Sequence, residues 1–269
     1  MTKEPVSSIS LHTFLNKIRS QGRYSFGLEE LKDALQVSDK AVNQALYRAK
    51  DRKKVAQVRK GFYAILSPEY AKQGMVPPTL LIDDMMKMLN RRYYVGLISA
   101  AALHGAAHQQ PKEYFVITQK PALRNIKNKK LKINFYVKKD WLIESVIQKK
   151  TDAGYINVSS PELTALDLLF YMDTISLNNT VTILKELTQE IKPADLQKTA
   201  GKYPQVAAIQ RLGYILDKEL KSEKLGAVLL KVLKNKNVFP VTLSNNKTKN
   251  GILDEKWKVI NNSNIEADI

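Results

Sequence analysis

Between Phe26 and Leu66 the hydrophobic spacing of this chain changes twice, and that change restricts the segment to one order of elements. Leu28, Leu31, Ala34 and Leu35 recur at helical spacing and predict a helix over 28–35. Residues 36 and 37 read as a turn. Ser38 or Asp39 suits the start of a second helix, because a short oxygen-bearing side chain accepts from amides that the first helical turn leaves unpaired. In that second helix Val42, Ala45, Leu46 and Ala49 share a face and turn inward. Two β-type runs follow, 55–58 and 62–66. Arg59-Lys60-Gly61 between them forms a tight ribbon turn, where glycine tolerates positive φ. Helix, turn, helix and ribbon is the order of a winged helix-turn-helix.

The period that sends Val42 and Leu46 inward sends Lys40, Gln44 and Tyr47 outward, with Asn43 and Arg48 on the flanks. Amide side chains pair with adenine edges, Arg with guanine or phosphate, and Lys with phosphate. Arg59 and Lys60 sit where a ribbon would follow a duplex backbone. The expected DNA-binding set is therefore Lys40, Asn43, Gln44, Tyr47, Arg48, Arg59 and Lys60. The competing reading is a small helical domain whose basic face is only solvated. Agreement between turn chemistry, outward face, basic ribbon and overall charge favours DNA.

That overall charge is large: 43 Lys+Arg against 26 Asp+Glu, net +17 in 269 residues. Such a field favours a polyanionic partner. It falls in two places. Residues 1–66 hold 13 basic and 6 acidic side chains, and residues 112–150 hold 11 and 3. The second region contains the loop 120–132 with Lys120, Arg124, Lys127, Lys129, Lys130 and Lys132. This patch is either a second anion contact or a solvated loop that protects a strand edge, and the sequence leaves both open.

Several chemistries are excluded or left unassigned. The chain has no cysteine, which removes disulfides, thiolate metal ligands and thiol nucleophiles together. His104 and His108 are four apart, but no Glu lies between them and Gly105 interrupts the helix, so structural histidines are expected and no metal or cofactor is assigned. Phosphate-loop, dinucleotide, HExxH and GxSxG patterns are all missing. Glu162 and Asp167, five apart, point to different helix faces. No catalytic residue is assigned, and a non-enzyme is expected. The start MTKEPVSSIS has no apolar signal core, and no apolar run reaches the ~18–20 residues of a membrane span, so a cytoplasmic protein without a membrane partner is expected.

The remaining chain reads as α+β. Leu11, Phe14, Leu15 and Ile18 predict a helix over 10–20 behind the helix-turn-helix, after a loose terminus at 1–8. Gly74 and Pro77-Pro78 place a linker at 67–79, between a DNA-binding domain at 1–66 and a larger mixed domain at 80–269. In the latter, 83–90 is helical with Leu81, Met85, Met88 and Leu89 as core. Residues 93–103 read as a short strand entering a small-residue helix. Strands are expected at 114–118, 133–137 and 154–158. Ser160-Pro161 opens a helix whose core is Leu163, Leu166, Leu169 and Phe170. Further helices are expected at 180–188, 195–202, 206–220 and 225–233, and the tail 239–259 as extended coil closed by Trp257.

Three stretches carry a resemblance to a known family. They are Tyr93-Tyr94-Val95-Gly96 with Ser99-Ala100 and Leu103-His104-Gly105, then Pro161 to Leu168 (PELTALDL), then Arg211 to Leu216 (RLGYIL). With the ribbon ending in Gly61-Phe62-Tyr63, the chain resembles the AbiEi family, antitoxins of type IV abortive-infection toxin–antitoxin systems that act in phage defence. The resemblance implies a division of labour. An N-terminal winged helix would bind operator inverted repeats in double-stranded DNA and repress its own operon. A C-terminal domain would counter a nucleotidyltransferase-like toxin without requiring a stable complex. It implies a monomer or weak dimer that pairs on DNA. The family brings no catalytic motif to transfer. Two other classes remain: a ligand-responsive winged-helix regulator without antitoxin activity, and a nucleic-acid enzyme.

Overall fold

The structure is a computed structural model and describes residues 9–106, 111–245 and 250–265. The expected terminus at 1–8 and His108 lie outside the described residues. Helices and strands are mixed along the chain, an α+β protein. The elements used below are α1 Leu11–Ser20, β1 Ser25–Gly27, α2 Leu28–Leu35, α3 Asp39–Asp51, β2 Val55–Arg59, β3 Phe62–Ile65, α4 Pro68–Ala71 and α5 Ile82–Met88. They continue as β4 Tyr93–Val95, α6 Leu97–Leu103, β5 Tyr114–Thr118, β6 Ile126–Lys127, β7 Lys132–Val137, β8 Val146–Thr151 and β9 Gly154–Ser159. The last are α7 Pro161–Phe170, α8 Leu177–Leu187, α9 Pro193–Lys202, α10 Val206–Tyr214, α11 Glu223–Leu233, β10 Val241–Thr242, β11 Ile252–Asp254 and β12 Val259–Asn261.

The chain forms two compact units. The first combines residues 1–93, 118–137 and 148–157, and the second combines 94–117, 138–147 and 158–269. In the first unit, Ser10 caps α1 by accepting from the Thr13 amide at 3.1 Å, and Ser38 caps α3 by accepting from Ala41 at 3.3 Å. Phe14, Leu15 and Ile18 of α1, Leu31 and Leu35 of α2, and Val42, Leu46 and Ala49 of α3 close a buried core over the sheet. Phe26 meets Phe14 edge-on at 5.3 Å and stacks on Tyr63 at 5.5 Å. The sheet is antiparallel in the order β1-β3-β2, with a register shift between Gln57 and Arg59, and Gly61 turns the ribbon at φ +76°.

Arg23 ties this core to α5. Its guanidinium donates to both Glu30 oxygens at 2.6 and 3.1 Å and to Asp84 at 3.1 Å, and these partners hold its pKa above the usual value, Glu30 most of all. Beyond α5, Arg91 donates to the carbonyls of Gln119 and Pro121. Asn128 accepts from the amides of Lys130 and Leu131 at 2.9 and 2.8 Å, a side-chain turn that folds the loop 120–132 back toward the antiparallel pair of β6 and β7. Buried Ile126, Leu131 and Ile133 anchor that loop from below.

In the second unit α7 is buried along almost its whole length and packs against α6, α8, α9 and α10, with α11 on α9 and α10. Ser160 caps it by accepting from Leu163 at 3.3 Å, and Pro161 takes the first turn. Val95 and Val158 pair β4 and β9 in parallel. A small sheet of order β10-β12-β11 covers α10 and buries Trp257 completely.

Four expectations about helices and the tail are corrected. Met88 is 42% exposed and Met86 is buried instead, because α5 starts at Ile82 and its period carries Ile82, Met85 and Met86 inward. Phe170, the last residue of α7, is partly exposed. The expected helix 206–220 is α-helical only to Tyr214 and continues as a π-turn, Ile215–Glu219. The tail is a sheet rather than a coil, and Val146–Thr151 is a strand that the residue pattern did not announce. The stretch 67–79 contains α4, and Met75 and Val76 within it are buried.

Candidate nucleic-acid interface

The outward face of α3 is where the sequence-expected residues meet. Its core stripe leaves Lys40, Asn43, Gln44, Tyr47 and Arg48 exposed, and these five line one shallow depression of about 560 Å³. Tyr47 keeps 70% of its surface in water, an unusual position for an aromatic ring unless something covers it. Lys40 and Arg48 make no ion pair among the described residues. Two amides, a phenol and two unneutralised cations on one helix face are the donor set that reads base edges and grips phosphates.

The ribbon is less uniform. Lys60 is exposed at its turn, but Arg59 is half-buried, with one guanidinium nitrogen out of water and unpartnered. A buried N–H without an acceptor is costly, so this arginine would gain from a carbonyl or phosphate oxygen arriving there. In the second basic patch Lys120, Arg124, Lys127, Lys129 and Lys130 are exposed, and Lys132 is half-buried on β7. The Lys130 ammonium lies where a Cβ on Gly74 would stand, so the loop rests on the segment just after the ribbon. Both patches thus belong to the first unit. That unit carries 25 Lys and Arg against 10 Asp and Glu, net +15, whereas the second carries 18 against 16, net +2.

The second unit has a different polar centre, which the sequence showed only in part. Asp167, fully buried on α7, accepts from the Tyr94 hydroxyl at 2.7 Å and the Tyr203 hydroxyl at 2.8 Å, and pairs with the Lys138 ammonium. Lys138 also lies 4.5 Å over the Tyr203 ring. Burial first, and then the Asp167 charge, push both phenols well above their usual pKa, so they stay protonated donors. Tyr94 and Asp167 fell inside the family-like stretches. Lys138 and Tyr203 gave no signal, because a lysine beside a second lysine reads as surface. Glu162 is buried too, but its carboxylate accepts from the Lys192 amide at 3.0 Å, so the two acids serve separate contacts.

His104 is half-buried and bonds through Nε2 to the Ser159 carbonyl oxygen at 2.7 Å. Among the described residues no three His, Asp or Glu side chains group to hold a metal ion, and no helix is long and apolar enough to cross a membrane.

Comparison with known proteins gives these arrangements a family. The crystal structure of the RV2827C protein from Mycobacterium tuberculosis is similar over 92% of this chain and 89% of that chain, with a TM-score of 0.65 at 14% identity, a likeness of fold alone. No curated protein matches. Residues 94–218 match the family model described as the AbiEi antitoxin C-terminal domain, a span that holds Tyr94, Lys138, Asp167 and Tyr203. Residues 94–218 thus carry an AbiEi antitoxin C-terminal domain.

Proposed function

We propose that this antitoxin is also the repressor of its own operon. Residues 1–66 act as a winged helix-turn-helix that binds operator inverted repeats in double-stranded DNA. Residues 80–269, beyond a linker at 67–79, counter a nucleotidyltransferase-like toxin without needing a stable complex with it. A copy on each repeat, as monomers or a weak dimer, completes the repressing assembly inside the cytoplasm of a phage-exposed cell.

The observation that carries the DNA half is the α3 face: Lys40, Asn43, Gln44, Tyr47 and Arg48 stand together in water on a unit of net +15. A helix of this kind fits the major groove, while Arg59, Lys60 and the 120–132 patch supply phosphate contacts. An antitoxin family implies a toxin partner in general, and the AbiEi domain supports that half. If six to ten phosphates are neutralised, affinity falls roughly 10³–10⁵-fold between 50 and 200 mM salt.

The test uses the full-length chain and the DNA upstream of its own gene. Gln44→Ala and Arg48→Ala are expected to weaken operator binding about ten- to a hundredfold, at ~1–3 kcal/mol per base contact, while leaving random-duplex binding nearly as it was. Equal losses on both DNAs would remove these residues from base readout. For the antitoxin half, co-expression with the toxin-like product of the adjacent gene should restore growth, and growth arrest despite ample soluble protein would refute it.

A further inference from the structure

The first unit holds a second concavity, which shares only Arg48 with the α3 depression. It is a groove of about 850 Å³ between α1, the C-terminal half of α3 and the stretch Ile65–Ala71. Leu11, Leu15, Ala49, Ile65 and Leu66 give it an apolar floor. Arg19, Arg48, Arg52, Lys53 and Lys54 form its rim, all exposed. Local geometry assembles this rim. Arg19 lies two turns along α1 from Leu11, and Arg48 on α3 lies four residues before Arg52, the cap that ends that helix. Lys53 then takes φ +52°, which reverses the chain so that the Lys54 amide bonds the Ala49 carbonyl at 2.8 Å and the Leu66 amide bonds the Lys54 carbonyl at 2.9 Å.

No Asp or Glu lines the groove, and none of the five rim cations is in an ion pair among the described residues. Glu69 acts on Arg19 from outside the groove. Five like charges around a low-dielectric concavity focus positive potential into it. Volume and lining match those of small-molecule sites, ~300–1,000 Å³ with apolar walls and a few convergent polar groups. Free phosphate would waste the floor, and an uncharged hydrocarbon would waste the rim.

We infer that this groove binds a small organic anion, with a carboxylate, sulfonate or phosphate ester on an aliphatic or aromatic body, and that the bound anion competes with DNA for Arg48. Arg48 lines both this groove and the α3 depression, so its guanidinium serves one or the other. The competition rests on the operator reading; the binding does not.

The test titrates full-length protein by calorimetry with decanoate and with 8-anilinonaphthalene-1-sulfonate, one probe for each kind of body. Decyltrimethylammonium and inorganic phosphate are the controls. At least one anionic probe should bind one-to-one, with the cationic amphiphile and phosphate more than tenfold weaker. Arg52→Gln with Lys53→Gln should weaken the probe about tenfold, given ~0.2–1 kcal/mol per exposed charge pair, with an unchanged circular dichroism spectrum. Binding by neither anionic probe would overturn the site, as would equal binding of the cationic amphiphile, of phosphate, or by the doubly substituted protein. Saturating probe should also weaken binding to a duplex at fixed salt. If the probe binds and duplex binding stays unchanged, the competition is overturned and the site stands. If no duplex binds at all, the operator reading fails while calorimetry still decides the site.

Discussion

Replacing Asp167 by asparagine keeps the side chain's shape and removes one charge from the centre of the AbiEi domain. The carboxylate holds three donors: Tyr94 at 2.7 Å, Tyr203 at 2.8 Å and the Lys138 ammonium. Lys138 is 3% exposed and Asp167 0%, so water cannot take over either role. In Asp167→Asn the ammonium keeps only a weakened amide oxygen, the Tyr203 hydroxyl at 3.5 Å and the face of that ring. Leaving a buried charge without its partner costs about 3–5 kcal/mol. At about 2–4 °C per kcal/mol for a chain of this length, the midpoint should fall by roughly 10 °C. Lys138→Met is the informative contrast. It leaves the carboxylate with two phenol donors, each charge-assisted bond being worth about 1.5–3 kcal/mol, so its cost should be smaller by about 1 kcal/mol or more. Removing the stranded ammonium should also partly rescue Asp167→Asn, so the double variant should melt above the single one. Near-ultraviolet circular dichroism follows this directly, since Trp141 packs edge-on to Tyr94 at 5.2 Å and donates to the Lys138 carbonyl at 3.0 Å. An Asp167→Asn midpoint within a degree or two of the parent, or a double variant that melts below the single one, would refute this account of the network.

Three other perturbations probe separate features. A Cβ on Gly213 would lie 1.9 Å from Trp257, so Gly213→Ala should destabilise the terminal sheet by about 1–3 kcal/mol and raise acrylamide quenching of Trp257, with Trp141→Phe as background. Tyr94 and Tyr203 have pKa values raised by burial and then by Asp167. The stability they contribute is complete below the unfolded phenol value of about 10 and is lost as pH rises above it, so urea midpoints should fall from about pH 10 upward. Replacing Lys127, Lys129 and Lys130 together by Gln should flatten the salt dependence of duplex binding by about 0.9 in log–log slope for each phosphate no longer neutralised; an unchanged slope would return that loop to the role of a solvated edge.

The sequence was most legible where one face of an element is buried and the other is wet. The stripes of α1, α2 and α3 are of this kind, and so are the caps at Ser38 and Ser160, whose short side chains have few other uses. Legibility failed where burial is two-sided or where partners lie far apart in the chain. β8 reads VIQKKT, with lysines that suit a loop as well as an edge strand, so nothing in its spacing announced it. The terminal sheet exists because Gln210 Nε2 donates to the carbonyls of Phe239 and Trp257, and Asp217 accepts from the Trp257 indole. No local pattern links residues so far apart in the chain. Lys138 was missed for the same reason, since a lysine declares itself buried only through its partner. Of the candidate site, the α3 residues were legible from period alone. The half-burial of Arg59, beside the register shift in β2, was not.

Charge distribution bears on how the two proposed roles can be separated by experiment. The family-matched span 94–218 contains residues 118–137 and 148–157, yet those segments close the first compact unit, which holds nearly all the excess positive charge. A fragment starting at residue 80 would therefore carry Arg124, Lys127, Lys129 and Lys130 without the segment around Gly74 on which Lys130 rests. Such a fragment would cut through the first compact unit, and any loss of antitoxin yield would then have a cause unrelated to toxin. Point substitutions avoid that confusion. Gln44→Ala changes an exposed side chain and leaves the core of the first unit in place, so it should weaken repression and leave toxin neutralisation intact. Asp167→Asn strikes the centre of the AbiEi domain and should do the reverse, at a temperature where the first unit is still folded. If both substitutions removed both activities in soluble, folded protein, the two roles would share one surface and the division of labour would be wrong.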